Sequence, residues 1–129
     1  MPGVLQHVTL EMRREDRAAA EAFWVRLGFE PVEPPGTLPE VSAWLERDGT
    51  QIHLLWSEAP VVAPEGHAAV VVDDYDATVA QLRSEGFDVE DRAQQWGVPR
   101  SFVRAPGGHR IELMSEPPPP GGAGRATPA

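Results

Sequence analysis

Hydrophobic and polar positions along the chain alternate between a strand-like and a helix-like period. An extended run covers residues 4–12, and a helical run over residues 15–27 follows, which Gly28 ends as a C-terminal cap. Three shorter extended runs come next, at residues 30–33, 41–47 and 51–56. Turn residues separate them, namely Pro-Pro-Gly at 34–36 and an Asp-Gly pair at 48–49 that favours a hairpin. The first half of the chain therefore predicts the order β-α-β-β-β.

The second half repeats this order. HAAV at residues 67–70 matches HVTL at residues 7–10 with an offset of 60, and a second helix is predicted over residues 76–85. GHRIEL at residues 108–113 matches GTQIHL at residues 49–54. One such half has a single helix and one sheet face, which is too little to bury a core alone. We therefore predict an α+β domain in which two βαβββ modules pair into one cup-shaped curved sheet, with both helices on its outer face.

The predicted domain spans residues 1–116, with modules at about 4–57 and 66–116. Residues 117–129 read PPPPGGAGRATPA, which has no apolar periodicity, and we expect a disordered tail there. No apolar run approaches the length of about 20 residues that a membrane span needs. The N-terminal residues also lack the basic and apolar stretches of a signal peptide. We therefore expect a cytoplasmic protein.

Four potential metal ligands fall on the inner face of the predicted cup. Side chains alternate across a strand, so the apolar set of each strand marks the face that the helices cover. The opposite positions carry His7, His53, His67 and Glu112. His7 and His67 are equivalent in the two modules, as are His53 and Glu112. Imidazoles and a carboxylate suit a divalent metal such as Zn, Ni, Mn, Co or Fe(II), so we predict one metal bound by all four residues.

Histidines and aromatic residues of this kind can also have other roles. A single inward histidine is more often a hydrogen-bonded core residue than a ligand, and it is the symmetric placement of three that favours the metal site. The fourth, His109, is expected to be a turn residue. Aromatic rings can stack on a ligand, and we name as candidate substrate-binding residues Trp44, Trp56, Trp96 and Arg100.

Composition and charge narrow the range of partners. The chain has 20 acidic against 11 basic residues, a formal net charge of -9, no Cys, and only Arg among the basic residues. This balance disfavours nucleic acid and anionic membranes as partners. The absence of Cys and Lys excludes thiolate ligands, thiol nucleophiles and Schiff-base chemistry. A basic drug or a metal cation fits better.

The duplicated order and these positions resemble the vicinal oxygen chelate superfamily, which includes glyoxalase I, bleomycin resistance proteins, fosfomycin-modifying enzymes and extradiol dioxygenases. The resemblance covers about residues 4–116. Four segments carry it: LQHVTL at 5–10, AFWVRLGF at 22–29, VDD at 72–74 and APGGHRIEL at 105–113.

The resemblance implies a mechanism and an alternative to it. In metal-using members the ligand positions correspond here to His7, His53, His67 and Glu112, and a divalent ion chelates neighbouring oxygens of the substrate. The implied function is a metal-dependent lyase or dioxygenase, in a homodimer, with Glu112 as general base. His53 stands where glyoxalase I usually has a carboxylate or Gln, so we expect it to be the weakest ligand and to decide the chemistry. The alternative is a non-catalytic, bleomycin resistance-like protein that sequesters an antibiotic without metal.

Overall fold

The protein is described by a computed structural model covering residues 2–122 and 124. Within these residues the chain runs through the order β-α-β-β-β twice. The first module consists of β1 (His7–Met12), α1 (Arg17–Arg26), β2 (Glu30–Val32), β3 (Ser42–Arg47) and β4 (Thr50–Trp56). The second module consists of β5 (Ala68–Val71), α2 (Tyr75–Ser84), β6 (Glu90–Arg92), β7 (Arg100–Arg104) and β8 (Arg110–Met114).

Each module forms one four-stranded mixed sheet. The strand order is β1-β4-β3-β2 in the first sheet and β5-β8-β7-β6 in the second. In both, the first and last strands of the module pair in parallel and the remaining pairs are antiparallel. The predicted α+β fold of two paired βαβββ modules is confirmed. The ladders stay within the modules, so the eight strands are hydrogen-bonded as two sheets of four.

The core lies between the sheets and the two helices. Helix α1 contributes Phe23 and Trp24, which are fully buried where the helix packs on the sheet. Alternate residues of the strands complete the core, for example Ile52 and Leu54 in β4. Burial of these side chains fixes which face of each strand is left for the site.

Contacts between the modules join them into one body. The Phe23 ring lies 5.5 Å from that of Phe87, between their centroids, and Arg26 of α1 pairs with Glu85 after α2 at 2.8 Å. His109 is buried, and its Nε2 donates a hydrogen bond to the carbonyl oxygen of Glu11 at 2.6 Å. His109 was predicted to be a turn residue; it lies directly after the turn that joins β7 to β8, and its side chain ties this segment to β1.

Some boundaries differ from the predicted ones. Strand β1 begins at His7 rather than at residue 4, because His7 pairs with Gln51 and β4 begins only one residue earlier, at Thr50, so the ladder does not extend to residues 4 and 5. The first turn of the predicted helix over 15–27 is a separate 3-10 turn, Arg14–Asp16. The predicted disordered tail falls partly on residues 123 and 125–129, which lie outside the described residues, and residues 117–122 contain only turns and irregular backbone. In the described part of the chain, no helix has the length and apolarity needed to cross a membrane.

The two equivalent glycines after the helices provide a matched test of packing. Gly28 and Gly86 have φ angles of 96° and 92°, so alanine at either position is strained by about 1–2 kcal/mol. Only at Gly28 would the added Cβ meet another group, Nη1 of Arg47 at 2.8 Å. That guanidinium donates to the Leu27 carbonyl at 2.9 Å, a bond worth about 1 kcal/mol.

We therefore expect Gly28→Ala to lower the free energy of unfolding by about 1 kcal/mol more than Gly86→Ala does. Urea denaturation of the two variants measures this difference. Equal losses would show that Arg47 moves aside without cost.

Candidate functional site

The first pair of predicted ligands lies on the inner face of the first sheet, meaning the face turned away from the helices. Ile52 and Leu54 point into the core, so His53 between them lies on the inner face. His7 stacks on His53 with ring centroids 3.9 Å apart and planes 17° apart. Trp44 of the neighbouring strand also stacks on His53, at 3.8 Å and 2°. His53 is therefore held by two aromatic contacts, while His7 is exposed to solvent.

In its neutral form, each histidine of this pair has one ring nitrogen with a lone pair available to a metal. Nδ1 of His7 donates to Oε1 of Gln6 at 2.7 Å, and Nε2 of His53 donates to Oε1 of Gln51 at 2.7 Å. An amide oxygen only accepts, so in the neutral imidazoles the lone pair is on Nε2 of His7 and on Nδ1 of His53. Burial lowers the pKa of His53, and the charge of a protonated His7 lowers it further. The neutral form of His53, which a metal requires, is thereby favoured.

The second pair lies on the inner face of the second sheet. Glu112 is opposite Ala69 in the β5–β8 ladder, just as His53 is opposite Thr9 in the β1–β4 ladder. Nε2 of His67 lies 3.1 Å from Oε1 of Glu112. Nη1 of Arg100 donates to the other carboxylate oxygen at 3.2 Å. Glu112 is thus buried between a histidine and an arginine.

The hydrogen bonds of His67 indicate a place for a cation. Its Nδ1 donates to the carbonyl oxygen of Glu65 at 2.9 Å. In a neutral imidazole only one nitrogen carries a proton, so Nε2 would face the Glu112 carboxylate with a lone pair. Two groups that both accept need a cation between them, either a second proton on His67 or a metal ion in its place. This pair therefore has the chemistry of half a metal site.

The four predicted ligands form two separate pairs within one chain. His7 and His53 belong to the first sheet, and His67 and Glu112 to the second. Across residues 2–122 and 124, no three His, Asp or Glu side chains are grouped so that they could hold one metal ion. One chain therefore brings together two pairs of potential donors. Their donor types suit a divalent metal, but neither pair alone completes the coordination shell of such an ion.

Only some of the residues predicted to bind substrate lie on the inner faces of the sheets. Trp44 and Arg100 lie on the inner faces, in direct contact with the ligand pairs. Trp96 lies in the loop before β7, and its Nε1 donates to the carbonyl oxygen of Glu116 at 3.0 Å. Trp56 has the parity of the core positions of β4 and packs against the core. It therefore does not line the inner face.

The predicted substrate-binding residues include Arg100 but none of the other arginines on the second inner face. Ser101 and Val103 of β7 are buried in the core, which leaves Arg100, Phe102 and Arg104 on the inner side. Arg110 of β8 is paired with Arg104 in the ladder and lies on the same face. The alternating segment RSFVR at residues 100–104 is the signal that would have revealed them.

Comparison with known proteins agrees with this architecture. A glyoxalase family protein from Bacillus anthracis superposes with a TM-score of 0.79 at 26% identity, covering 88% of this chain and 95% of that one. Lactoylglutathione lyase from Agrobacterium tumefaciens gives 0.64 at 21% identity, with 88% and 93% covered. The genomically encoded fosfomycin resistance protein from Listeria monocytogenes gives 0.72 at 15% identity, with 91% and 94% covered. The last two likenesses concern the fold alone.

The sequence itself provides the family assignment. No curated protein matches it significantly. The sequence profile of one superfamily, however, matches residues 4–124, which include both modules, both ligand pairs and the loop that joins them. The chain therefore belongs to the Glyoxalase/Bleomycin resistance protein/Dioxygenase superfamily.

Proposed function

We propose that the protein is a metal-dependent enzyme acting on a small molecule with neighbouring oxygen atoms, and that its active site forms between two copies of the chain. His7 and His53 of one copy would join His67 and Glu112 of the other around one divalent ion. The observation that carries this proposal is that the two donor pairs occupy equivalent positions in the two sheets. His53 lies opposite Thr9 in the first ladder, and Glu112 lies opposite Ala69, the equivalent of Thr9, in the second. A twofold-symmetric dimer would then contain two complete sites.

The surroundings of the first pair support a second copy. His7 and His53 lie in a groove of about 380 Å³ that also includes the apolar side chains of Leu38, Val41 and Leu55. These three are 38–46% exposed in the single chain. Apolar side chains grouped beside polar ligands are typical of a surface that another protein covers.

The metal ion and the residues around it would have different roles at such a site. A bound divalent ion supplies Lewis-acid polarisation of two oxygens of the substrate. Glu112 is the only carboxylate in the two pairs, so it is the group that would accept a proton from the substrate. Arg100 holds its second oxygen and fixes its direction. If His53 binds the metal, the site has three imidazoles, which favours lyase-like or isomerase-like chemistry. If His53 does not bind, the site has two imidazoles, which favours oxygenase-like chemistry.

Non-catalytic binding of an antibiotic is the competing function. The stacked rings of Trp44 and His53 offer a flat surface for an aromatic ligand. The arginines at 100, 104 and 110 on the second inner face, however, disfavour a cationic one. Tight binding of a flat antibiotic to metal-free protein, with quenching of tryptophan fluorescence, would support sequestration over catalysis.

Metal content and mass provide the first test. We expect protein purified without chelator or histidine tag to contain about one equivalent of divalent metal per chain, and to sediment as a dimer. Elemental analysis and analytical ultracentrifugation measure both. Less than about a tenth of an equivalent, with no uptake of Zn, Ni, Mn or Fe(II), would contradict the metal site.

Mixing two inactive variants tests whether the site is shared. His7→Ala/His53→Ala lacks the first pair and His67→Ala/Glu112→Gln lacks the second, so neither homodimer should bind metal. A mixed dimer would carry one intact site, and full subunit exchange should restore about a quarter of the wild-type capacity. Mass spectrometry confirms that mixed dimers have formed. Mixed dimers without metal would place the whole site within one chain.

A further inference from the structure

The inner face of the second sheet carries a charge pattern that the first sheet lacks. Phe102 pairs with Glu112 across β7 and β8, as Trp44 pairs with His53 across β3 and β4, so the two ladders define equivalent positions. Around this aromatic residue, three positions are occupied in the first sheet by Ser42, Glu46 and Gln51. The equivalent positions of the second sheet are Arg100, Arg104 and Arg110. The shared fold does not require this charge, because the first module forms the same ladders without it.

Phe102 holds two guanidinium groups in place. Cζ of Arg110 lies 4.0 Å from the centroid of the Phe102 ring, and Cζ of Arg92 lies 4.8 Å from it. Cation–π contacts of this kind stabilise an arginine without using its N–H donors. The side chain of Arg110 is only 15% exposed. Its donors are therefore held in place and partly shielded from water.

These arginines line a cavity of about 210 Å³, large enough for part of a small molecule. Three carboxylates also line it, Glu65, Asp88 and Glu90. All three are exposed to solvent. Glu65, which accepts from Arg110 at 3.1 Å, is 91% exposed, and Glu90, which lies 3.5 Å from Arg92, is 59% exposed. An ion pair with so exposed a carboxylate contributes little stability. A ligand anion can therefore replace Glu65 on Arg110 at small cost.

We propose that this cavity binds an anionic group of a small molecule, a carboxylate or a phosphate-like oxyanion, through Arg92 and Arg110. Arginine is suited to this role because its planar fork donates two parallel hydrogen bonds to such a group. The cavity adjoins the second ligand pair, since the ring of His67 packs edge-to-face with that of Phe102, with the two centroids 4.8 Å apart. The inference deepens the proposed function and rests on it for the substrate, which is then an anion with neighbouring oxygens close to its charged group.

Titration calorimetry on metal-free protein tests the anion site separately from the metal site. The probes are benzoate, phenylphosphonate and inorganic phosphate at low ionic strength. We expect saturable binding, weakened about 10-fold or more by Arg110→Met, which keeps the apolar stem but removes the charge-assisted hydrogen bonds. Arg26→Met is the matched control, because Arg26 pairs with a carboxylate on the helix layer, and it should leave binding unchanged.

A second variant is expected to bind the anion more tightly, a result that loss of folding could not produce. Glu65→Gln removes the competing carboxylate and should strengthen binding by about 2- to 5-fold. Tighter binding of benzoate than of phenylphosphonate and phosphate identifies a carboxylate ligand, and the reverse order identifies a phosphate-like one. Absence of saturable binding, or equal binding by Arg110→Met and wild type, would overturn the anion site. Metal uptake would be unaffected by that result, just as anion binding would survive failure of the metal site.

Discussion

Glu112→Gln is expected to weaken divalent metal uptake by more than about 100-fold, because loss of an outer partner of a metal ligand already costs 10- to 100-fold. The substitution removes the only negative charge of the two ligand pairs. Glutamine has nearly the same shape and can still accept the hydrogen bond from Arg100, which lies at 3.2 Å. The fold should therefore be kept, and equilibrium dialysis against Zn or Ni followed by elemental analysis isolates the effect on binding.

Glu85→Gln is the matched control for this prediction. Glu85 is also a carboxylate held by an arginine, Arg26 at 2.8 Å, but it lies on the helix layer, away from both ligand pairs. Metal uptake by this variant should equal that of the wild type. If Glu112→Gln retains full uptake as well, Glu112 is a structural partner of Arg100 and His67, and the metal site has to be abandoned.

Trp24→Ala is expected to lower the free energy of unfolding by about 3–5 kcal/mol, a large share of the stability of a domain of this size. Trp24 has no exposed surface, and its ring makes edge-to-face contacts with Phe23 at 5.5 Å and Phe29 at 5.3 Å. Removing the indole leaves a cavity between α1 and the first sheet that neighbouring side chains cannot fill. Thermal and urea unfolding measure the loss.

Val25→Ala controls for the helix itself. Val25 is the next residue of α1 and is 47% exposed, so its replacement should change stability by less than about 0.5 kcal/mol. A loss for Trp24→Ala no greater than that for Val25→Ala would show that α1 does not contribute to the core as its burial indicates. Trp24→Phe should lie between the two, because the ring contacts are partly kept.

The fold could be predicted because its signals are local and occur twice. Alternation in VTL at residues 8–10 and in IHL at 52–54 identifies the buried face of each strand, and Gly28 and Gly86 end the helices at matching positions. The structure bears out this order. Its differences are at element ends, such as residues 4–6, where pairing with a partner strand rather than local pattern decides where a strand begins.

The sequence by itself determined which side chains share a face: His7 with Thr9, His53 away from the core, and Glu112 between two buried neighbours. Only the tertiary structure decided which of them meet, because distances between strands far apart in the chain depend on ladder register and sheet placement. It separates His7 and His53 from His67 and Glu112, and it places Arg100 on Glu112 through the pairing of β7 with β8. Local alternation is enough to predict that these side chains face inward, whereas their grouping into two pairs depends on contacts between strands that are distant in the chain.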